Sequence, residues 1–190
     1  MFQKLQVLGN TIFSVVMKEK TETKVLKDIA IMYQPETITT NELVENGKYP
    51  VYGAGGIIGY YDKYNHENSE LMLSCRGVCG KVELSMPKSF IIGNQMVIQL
   101  KNPKYTYFLY NYFLKYDFSK VETGSVQKQI TRTNLEKIEI DLPDEKNINK
   151  YSEIFENIYQ NKMQIDLETE ELNSLKQQLL PLLINGQLEI

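Results

Sequence analysis

The sequence predicts an α+β fold: a curled mixed β-sheet domain with short helices, followed by a long C-terminal coiled-coil helix. Two observations carry that reading. Residues 24–143 consist mostly of short apolar strings punctuated by turn residues, and after Pro143 apolar residues recur every seven positions. A third, a weaker amphipathic stretch at the N-terminus, adds a helix that must dock on something. The expected organisation is 1–23, an N-terminal helix packing on the coil; 24–143, the sheet domain; and 144–190, the long helix and its tail.

In chain order, Phe2, Leu5, Leu8, Ile12, Val15 and Val16 fall at helical spacing, a stripe weakened by Gly9. The strings "YPVYGAGGIIGYYD", "LMLSCRG", "CGKVEL", "SFIIGNQMVIQL" and "KIEIDLP", rich in Val, Ile and Tyr, read as strands of one curled sheet. Between them, "TNELVEN" predicts a short helix capped by Thr40 or Asn41, and Asn102 caps a helix that opens on Pro103, with Tyr105, Phe108, Leu109, Tyr112 and Phe113 inward. In the last region Tyr151, Ile158, Ile165, Leu172 and Leu179 share one heptad position. Ile154, Asn161, Glu168, Leu175 and Leu182 sit three residues later. A helix over 147–180, ending at Pro181, would be about 50 Å long. Its stripe stays wet unless another helix covers it, so Tyr151, Ile154, Ile158, Ile165, Leu172, Leu175 and Leu179 are the expected oligomerisation residues. The alternative is a helix folded back on its own domain.

Composition constrains the partners. The chain of 190 residues has a formal net charge of -3, but 24–134 holds 13 basic against 10 acidic residues and 135–190 holds 5 against 12. The middle is suited to a polyanion and the tail is not. No apolar run reaches the ~20 residues of a membrane span, and "MFQKLQVLGNTIF" lacks the marks of a signal peptide, so a cytoplasmic location and reduced thiols are expected.

Enzyme constellations are poor. His66, the only histidine, lies in the polar loop "KYNHENSE" and reads as solvated; with Cys75 and Cys79 it makes three zinc donors where a structural site takes four. No catalytic triad can be assembled without His66, and no Walker loop is present. The run "GAGGIIG" is followed by "YYDKYNHENSE" rather than by a helix, so no helix N-terminus would meet a pyrophosphate. No catalytic residue and no metal site are therefore assigned.

Nucleic-acid contact is better supplied. Glycines 53–59 let the backbone bend sharply and approach a surface, and Tyr49, Tyr52, Tyr60 and Tyr61 flank them. Arg76, one of two arginines, stands at the turn between "LMLS" and "CGKVEL", from which a guanidinium can enter a groove or clamp phosphate. The loop "TGSVQKQIT" offers Ser125, Gln127, Lys128 and Gln129, with Arg132 just beyond, although an ordinary polar loop has the same composition. The expected DNA-binding set is Tyr52, Gly55, Gly56, Arg76, Lys81, Ser125, Gln127, Lys128, Gln129 and Arg132.

Several stretches occur in a fixed order: "KVLKDIA" (24–30), "GKYPVYGAGGIIGYYDKY" (47–64), "LMLSCRGVCGKV" (71–82), "FIIGNQMVIQL" (90–100), "GSVQKQITRTNLEKIEIDLP" (124–143) and "LLPLLINGQLEI" (179–190). Together they resemble the DNA specificity subunit of type I restriction-modification systems. The resemblance implies a target recognition domain at 24–143 followed by a conserved spacer helix. Full-length members carry two such units, their spacers packed antiparallel so that two domains read separate halves of a split DNA site. Here there is one unit, and "FQKLQVLGNTIFSVVM" resembles the end of a preceding spacer. A C-terminal half, a truncated product and a naturally single-unit subunit all fit.

The resemblance further implies a non-catalytic chain whose partners are double-stranded DNA, a modification (methyltransferase) subunit and a restriction (endonuclease) subunit. S-adenosylmethionine, ATP and Mg belong to those subunits and no cofactor to this chain. An exposed seam on one long helix is satisfied by an antiparallel homodimer, which would hold two identical domains about 50 Å apart, roughly one and a half turns of duplex. Readings from other classes are a protein-protein adaptor or restriction antagonist built on the coil, and an enzyme with an unrecognised site.

Overall fold

The computed structural model describes residues 2–45, 47–125 and 127–185. The side chain of Phe2 and the tail residues 186–190 lie outside the described part. In chain order the elements are α1 (Phe2–Val16), β1 (Thr21–Val25), α2 (Leu26–Ile29), β2 (Ala30–Tyr33), a 3₁₀ turn (Thr40–Glu42), β3 (Tyr49–Gly53), β4 (Gly56–Tyr61), β5 (Leu71–Ser74), β6 (Val82–Leu84), β7 (Phe90–Ile91) and β8 (Gln95–Leu100). A 3₁₀ turn (Pro103–Tyr105) then leads into α3 (Thr106–Phe113), and another (Phe118–Lys120) precedes β9 (Glu122–Thr123), β10 (Gln129–Ile130), α4 (Arg132–Leu135), β11 (Glu139–Pro143) and α5 (Glu145–Ile184).

The expected single curled sheet is divided. Four antiparallel strands run in the order β2-β8-β5-β6, and a separate three-stranded sheet, β4-β3-β7, has β7 parallel to β3. Two short antiparallel pairs, β1-β11 and β9-β10, complete the strands. The division follows from β5, whose successive side chains point to opposite faces. Leu71 and Leu73 face the helices, while Met72 packs with Tyr52, Ile91 and Val97 against the three-stranded sheet. The far face of that smaller sheet, Val51, Phe90 and Ile92, is covered by Ile38, Leu43 and Tyr61. The result is helices, a four-stranded sheet, a three-stranded sheet and a covering loop, in layers.

Local signals place the helices. Asn102 accepts a hydrogen bond from the Lys104 N–H at 3.1 Å, and Pro103 opens the turn into α3. At "TNELVEN" the cap falls at Thr39, one residue before Thr40 and two before Asn41, where a capping box with Glu42 closes a single 3₁₀ turn. Asp144 caps α5, accepting from the Asn147 N–H at 2.9 Å.

The 40-residue α5 is about 60 Å long, longer than 147–180 and not ended by Pro181. The proline forfeits one intrahelical bond, and its carbonyl accepts from the Asn185 N–H at 3.0 Å. The first half of α5 packs on the domain: Ile148, Tyr151, Phe155 and Tyr159 are buried with α3 and with Phe13 and Val16 of α1, and Ile158 is buried too. This corrects the expectation for Tyr151 and Ile158, both of which are covered within this chain. Ile154 is 43% exposed instead, because at about 100° per residue it lies well off the face on which Ile148, Tyr151, Ser152, Phe155 and Tyr159 are buried. Ile165 is half-buried, whereas Leu172, Leu175 and Leu179 are exposed.

Helix α1 runs antiparallel to α5. The Lys20 carbonyl accepts from the Asp144 N–H at 3.2 Å, and Gly9 meets Tyr159. A Cβ at Gly9 would lie 3.2 Å from the Tyr159 hydroxyl, so the residue that weakens α1 as a helix is the one that lets it approach α5.

Candidate nucleic-acid interface

Three loops converge at one end of the sheets. The first is the β3–β4 tip, where Gln95 Nε2 donates to the Gly53 carbonyl, Ser74 Oγ to the Ala54 carbonyl and Lys81 Nζ to the Gly55 carbonyl, each at 2.7 Å. The second is the Arg76–Gly77 turn, which abuts the tip: a Cβ at Gly77 would sit 3.5 Å from the Ala54 Cβ. The third is the β9–β10 hairpin. Gln129 forms an antiparallel bridge with Arg76, the Ile130 N–H donates to the Cys75 carbonyl at 3.0 Å, and the Cys79 thiol donates to the Lys128 carbonyl at 3.1 Å.

Glycines make these turns possible where φ is positive. Gly77 and Gly80 have φ of 79° and 83°, and at Gly124, with φ of 94°, a Cβ would strike the Gln127 carbonyl oxygen. Behind the loops, the Gln34 amide donates to the Gly93 carbonyl at 2.8 Å and to Cys75 Sγ at 3.0 Å, joining the 92–94 turn to the Arg76 turn.

The expected DNA-binding residues separate into three groups. Arg76, Ser125, Gln127, Lys128, Gln129 and Arg132 are all exposed, with Arg76, Lys128 and Gln129 brought side by side by the bridge. Lys128 is paired with Glu122 at 2.9 Å, and a hydrogen bond to that carboxylate raises its pKa; Arg132 pairs with Glu136 at 3.2 Å. Such surface pairs contribute little and are readily exchanged for phosphate. Gly55 is exposed at the tip, while Gly56 is buried with φ of 113° and serves the turn.

Tyr52 and Lys81 require correction. Tyr52 is 5% exposed in the core between the sheets, its hydroxyl accepting from the Met86 N–H at 3.1 Å, so its ring offers no face to a base. Lys81 binds the Gly55 carbonyl and Glu83, at 2.8 Å, and acts within the protein. Of the other tyrosines flanking the glycines, Tyr49 meets Tyr64 edge-on and Tyr61 meets Phe90.

His66 is buried rather than solvated, bridged to Ser89. Asn65 Oδ1 accepts from the Ile91 N–H, which fixes the amide, so His66 Nδ1 donates to that oxygen at 2.6 Å and Nε2 accepts from the Tyr33 hydroxyl at 2.9 Å. Burial lowers its pKa, keeping it neutral. Burial likewise raises both thiols, Cys75 and Cys79, which remain protonated. Among the described residues no group of three or more His, Cys, Asp or Glu is arranged to hold a metal. Sequence reasoning missed Gln95 and Ser74. Both are fully buried polar residues in strands whose neighbours are apolar, the only signal that marks them as braces.

No helix among the described residues is long and apolar enough to cross a membrane. A search of curated proteins finds no match. Among solved structures, the S subunit of a type I restriction-modification system from M. genitalium superposes with a TM-score of 0.63 at 18% identity, over 84% of this chain and 42% of that one. The HsdS subunit from Thermoanaerobacter tengcongensis gives 0.55 at 14%, over 98% and 52%. A chain from a study of complex assembly and conformational transition of the type I R-M system gives 0.56 at 16%, over 95% and 52%. These likenesses establish the fold, and the chain spans about half the length of the structures it matches. The profile described as type I restriction modification DNA specificity domain matches residues 18–177, nearly the whole of the described fold, and the chain belongs to that family.

Proposed function

We propose that this chain is a non-catalytic, sequence-reading unit that binds double-stranded DNA through the three converging loops. The observation that carries the reading is the backbone bridge of the Arg76 turn to the Lys128–Gln129 hairpin, which brings three exposed residues able to offer a guanidinium, an ammonium and an amide together at one edge. Methylation and cleavage are assigned to a modification subunit using S-adenosylmethionine and to a restriction subunit using ATP and Mg. The outer face of the α1–α5 pair, where Val7, Leu8, Val15 and Ile154 are exposed, is the proposed seat of the modification subunit.

The distal part of α5 carries a separate role. Leu172, Leu175 and Leu179 form the exposed apolar seam, and pairing with an antiparallel second copy covers it as a coiled coil. Overlap of the two distal parts alone would hold the covered halves about 60 Å apart, a little under two turns of duplex, somewhat more than the whole-helix overlap implied. Two identical domains then select inverted copies of one short sequence around an unread spacer.

Selection of bound sites from a random duplex pool tests the DNA reading; the expected product is an inverted repeat, and a salt-independent, sequence-blind interaction would remove it. Sedimentation tests the pairing. Leu172→Glu with Leu175→Glu is expected to convert a dimer into a folded monomer, and a wild-type monomer at micromolar concentration would overturn it.

A further inference from the structure

We propose that the β3–β4 tip is a main-chain phosphate site, in which the N–H groups of Ala54 and Gly55 receive a phosphodiester of the duplex. The site rests on the reading that the chain binds DNA, and it adds a contact that no side chain supplies. Three consecutive carbonyls, of Gly53, Ala54 and Gly55, are each held at 2.7 Å by a side chain: the amide of Gln95, the hydroxyl of Ser74 and the ammonium of Lys81. No peptide bond among the described residues is cis, and in a trans peptide the N–H points opposite to the carbonyl. With the Gly53 and Ala54 carbonyls turned inward, the N–H groups of Ala54 and Gly55 are directed away from the braces. Successive outward N–H groups in a turn form a concavity suited to an anion. Arg76 in the adjoining turn favours negative charge there, while the Lys81 ammonium beneath the tip is offset by the Glu83 carboxylate at 2.8 Å.

Gly55 supplies the second argument. Its φ is not positive, it is exposed, and no atom of the described residues lies within 4 Å of where its Cβ would be. Neither backbone conformation nor internal packing among the described residues calls for glycine. A bare Cα does allow an outside surface to reach the main chain. Ser74 and Gln95, fully buried, are positioning residues that hold the peptide planes in place.

The test uses the full chain, a duplex selected by the wild type from a random pool and a scrambled duplex of equal length. Gly55→Leu is expected to melt as the wild type does and to weaken both duplexes alike, by about ten- to 150-fold, the loss of a hydrogen bond to a charged group. Ethylation interference should show one fewer essential phosphate. Ser74→Ala should shift both affinities in the same direction; if it does not fold, Gly55→Leu decides alone. Unchanged binding by Gly55→Leu, or a loss confined to the selected duplex, overturns the site. A wild type that binds neither duplex overturns the DNA reading, a result distinct from failure of the tip alone.

Discussion

The two halves of α5 obey one heptad repeat and meet different fates. In the first half, Phe155 is fully buried, and Tyr159 stacks on the Tyr107 ring at 4.9 Å while donating to Asn111 Oδ1 at 2.8 Å. Burial drives the Tyr159 pKa well above its ordinary value, so the phenol stays a donor. In the second half, Leu172 is 65% exposed and Leu175 47%. The covering element explains the difference: α1 starts near its Phe2 end alongside the middle of α5 and runs back toward Asp144, leaving the distal residues without a neighbour among the described residues. A repeat therefore states which face of a helix is apolar, and the lengths of its neighbours decide how much of that face is covered.

The largest expected effect that sharpens this contrast is Phe155→Ala, which should cost about 3–5 kcal/mol of domain stability in urea unfolding, whereas Leu175→Ala in the dilute monomer should stay within about 0.5 kcal/mol. Comparable losses at both sites would break the comparison. Next, Tyr159→Phe should cost about 1–3 kcal/mol, because it leaves the buried Asn111 carbonyl oxygen without its donor. The smallest effect marks the boundary between the halves. Asp166 lies in the cleft between α5 and Tyr52, Met86 and Tyr110, and burial raises its pKa above 3.8, against a smaller opposing pull from Lys162. A carboxyl raised in the folded state contributes stability below its unfolded pKa that is lost as pH rises through the folded value. Asp166→Asn should therefore stabilise the protein slightly at neutral pH, with the gain vanishing below about pH 3.8 in melting curves. The absence of any gain at neutral pH would place Asp166 on the exposed side of the boundary.

Much of the fold was legible in the sequence because its signals are local. Asn102 and Pro103 mark the start of α3, the apolar strings mark β3, β5 and β8, and the heptad marks α5. Facing was not legible. Strands β5 and the first part of β8 are buried on both sides, so their strings lack the alternation that would show which residues meet which layer. For the same reason Tyr52 looked like a flank of an exposed glycine loop when it is a core residue. Lys81 and His66 are polar residues whose partners, the Gly55 carbonyl and Tyr33, lie 26 and 33 positions away in sequence. Conversely, the exposure of Arg76 and Lys128 follows from turn chemistry, which is read locally.

The pairing of β1 with β11 has a further consequence. Thr21 lies opposite Pro143 and Val25 opposite Glu139, so the polypeptide leaves one helix and returns to the other through adjacent, hydrogen-bonded doorposts. Everything between them is tied to the frame twice, by this antiparallel seam and by α3, which shares one core with α1 and the first half of α5. A different globule hung from the same two terminal strands would therefore keep the helices in place only if it brought an equivalent of α3, so the intervening domain and the frame change together at that face and independently elsewhere.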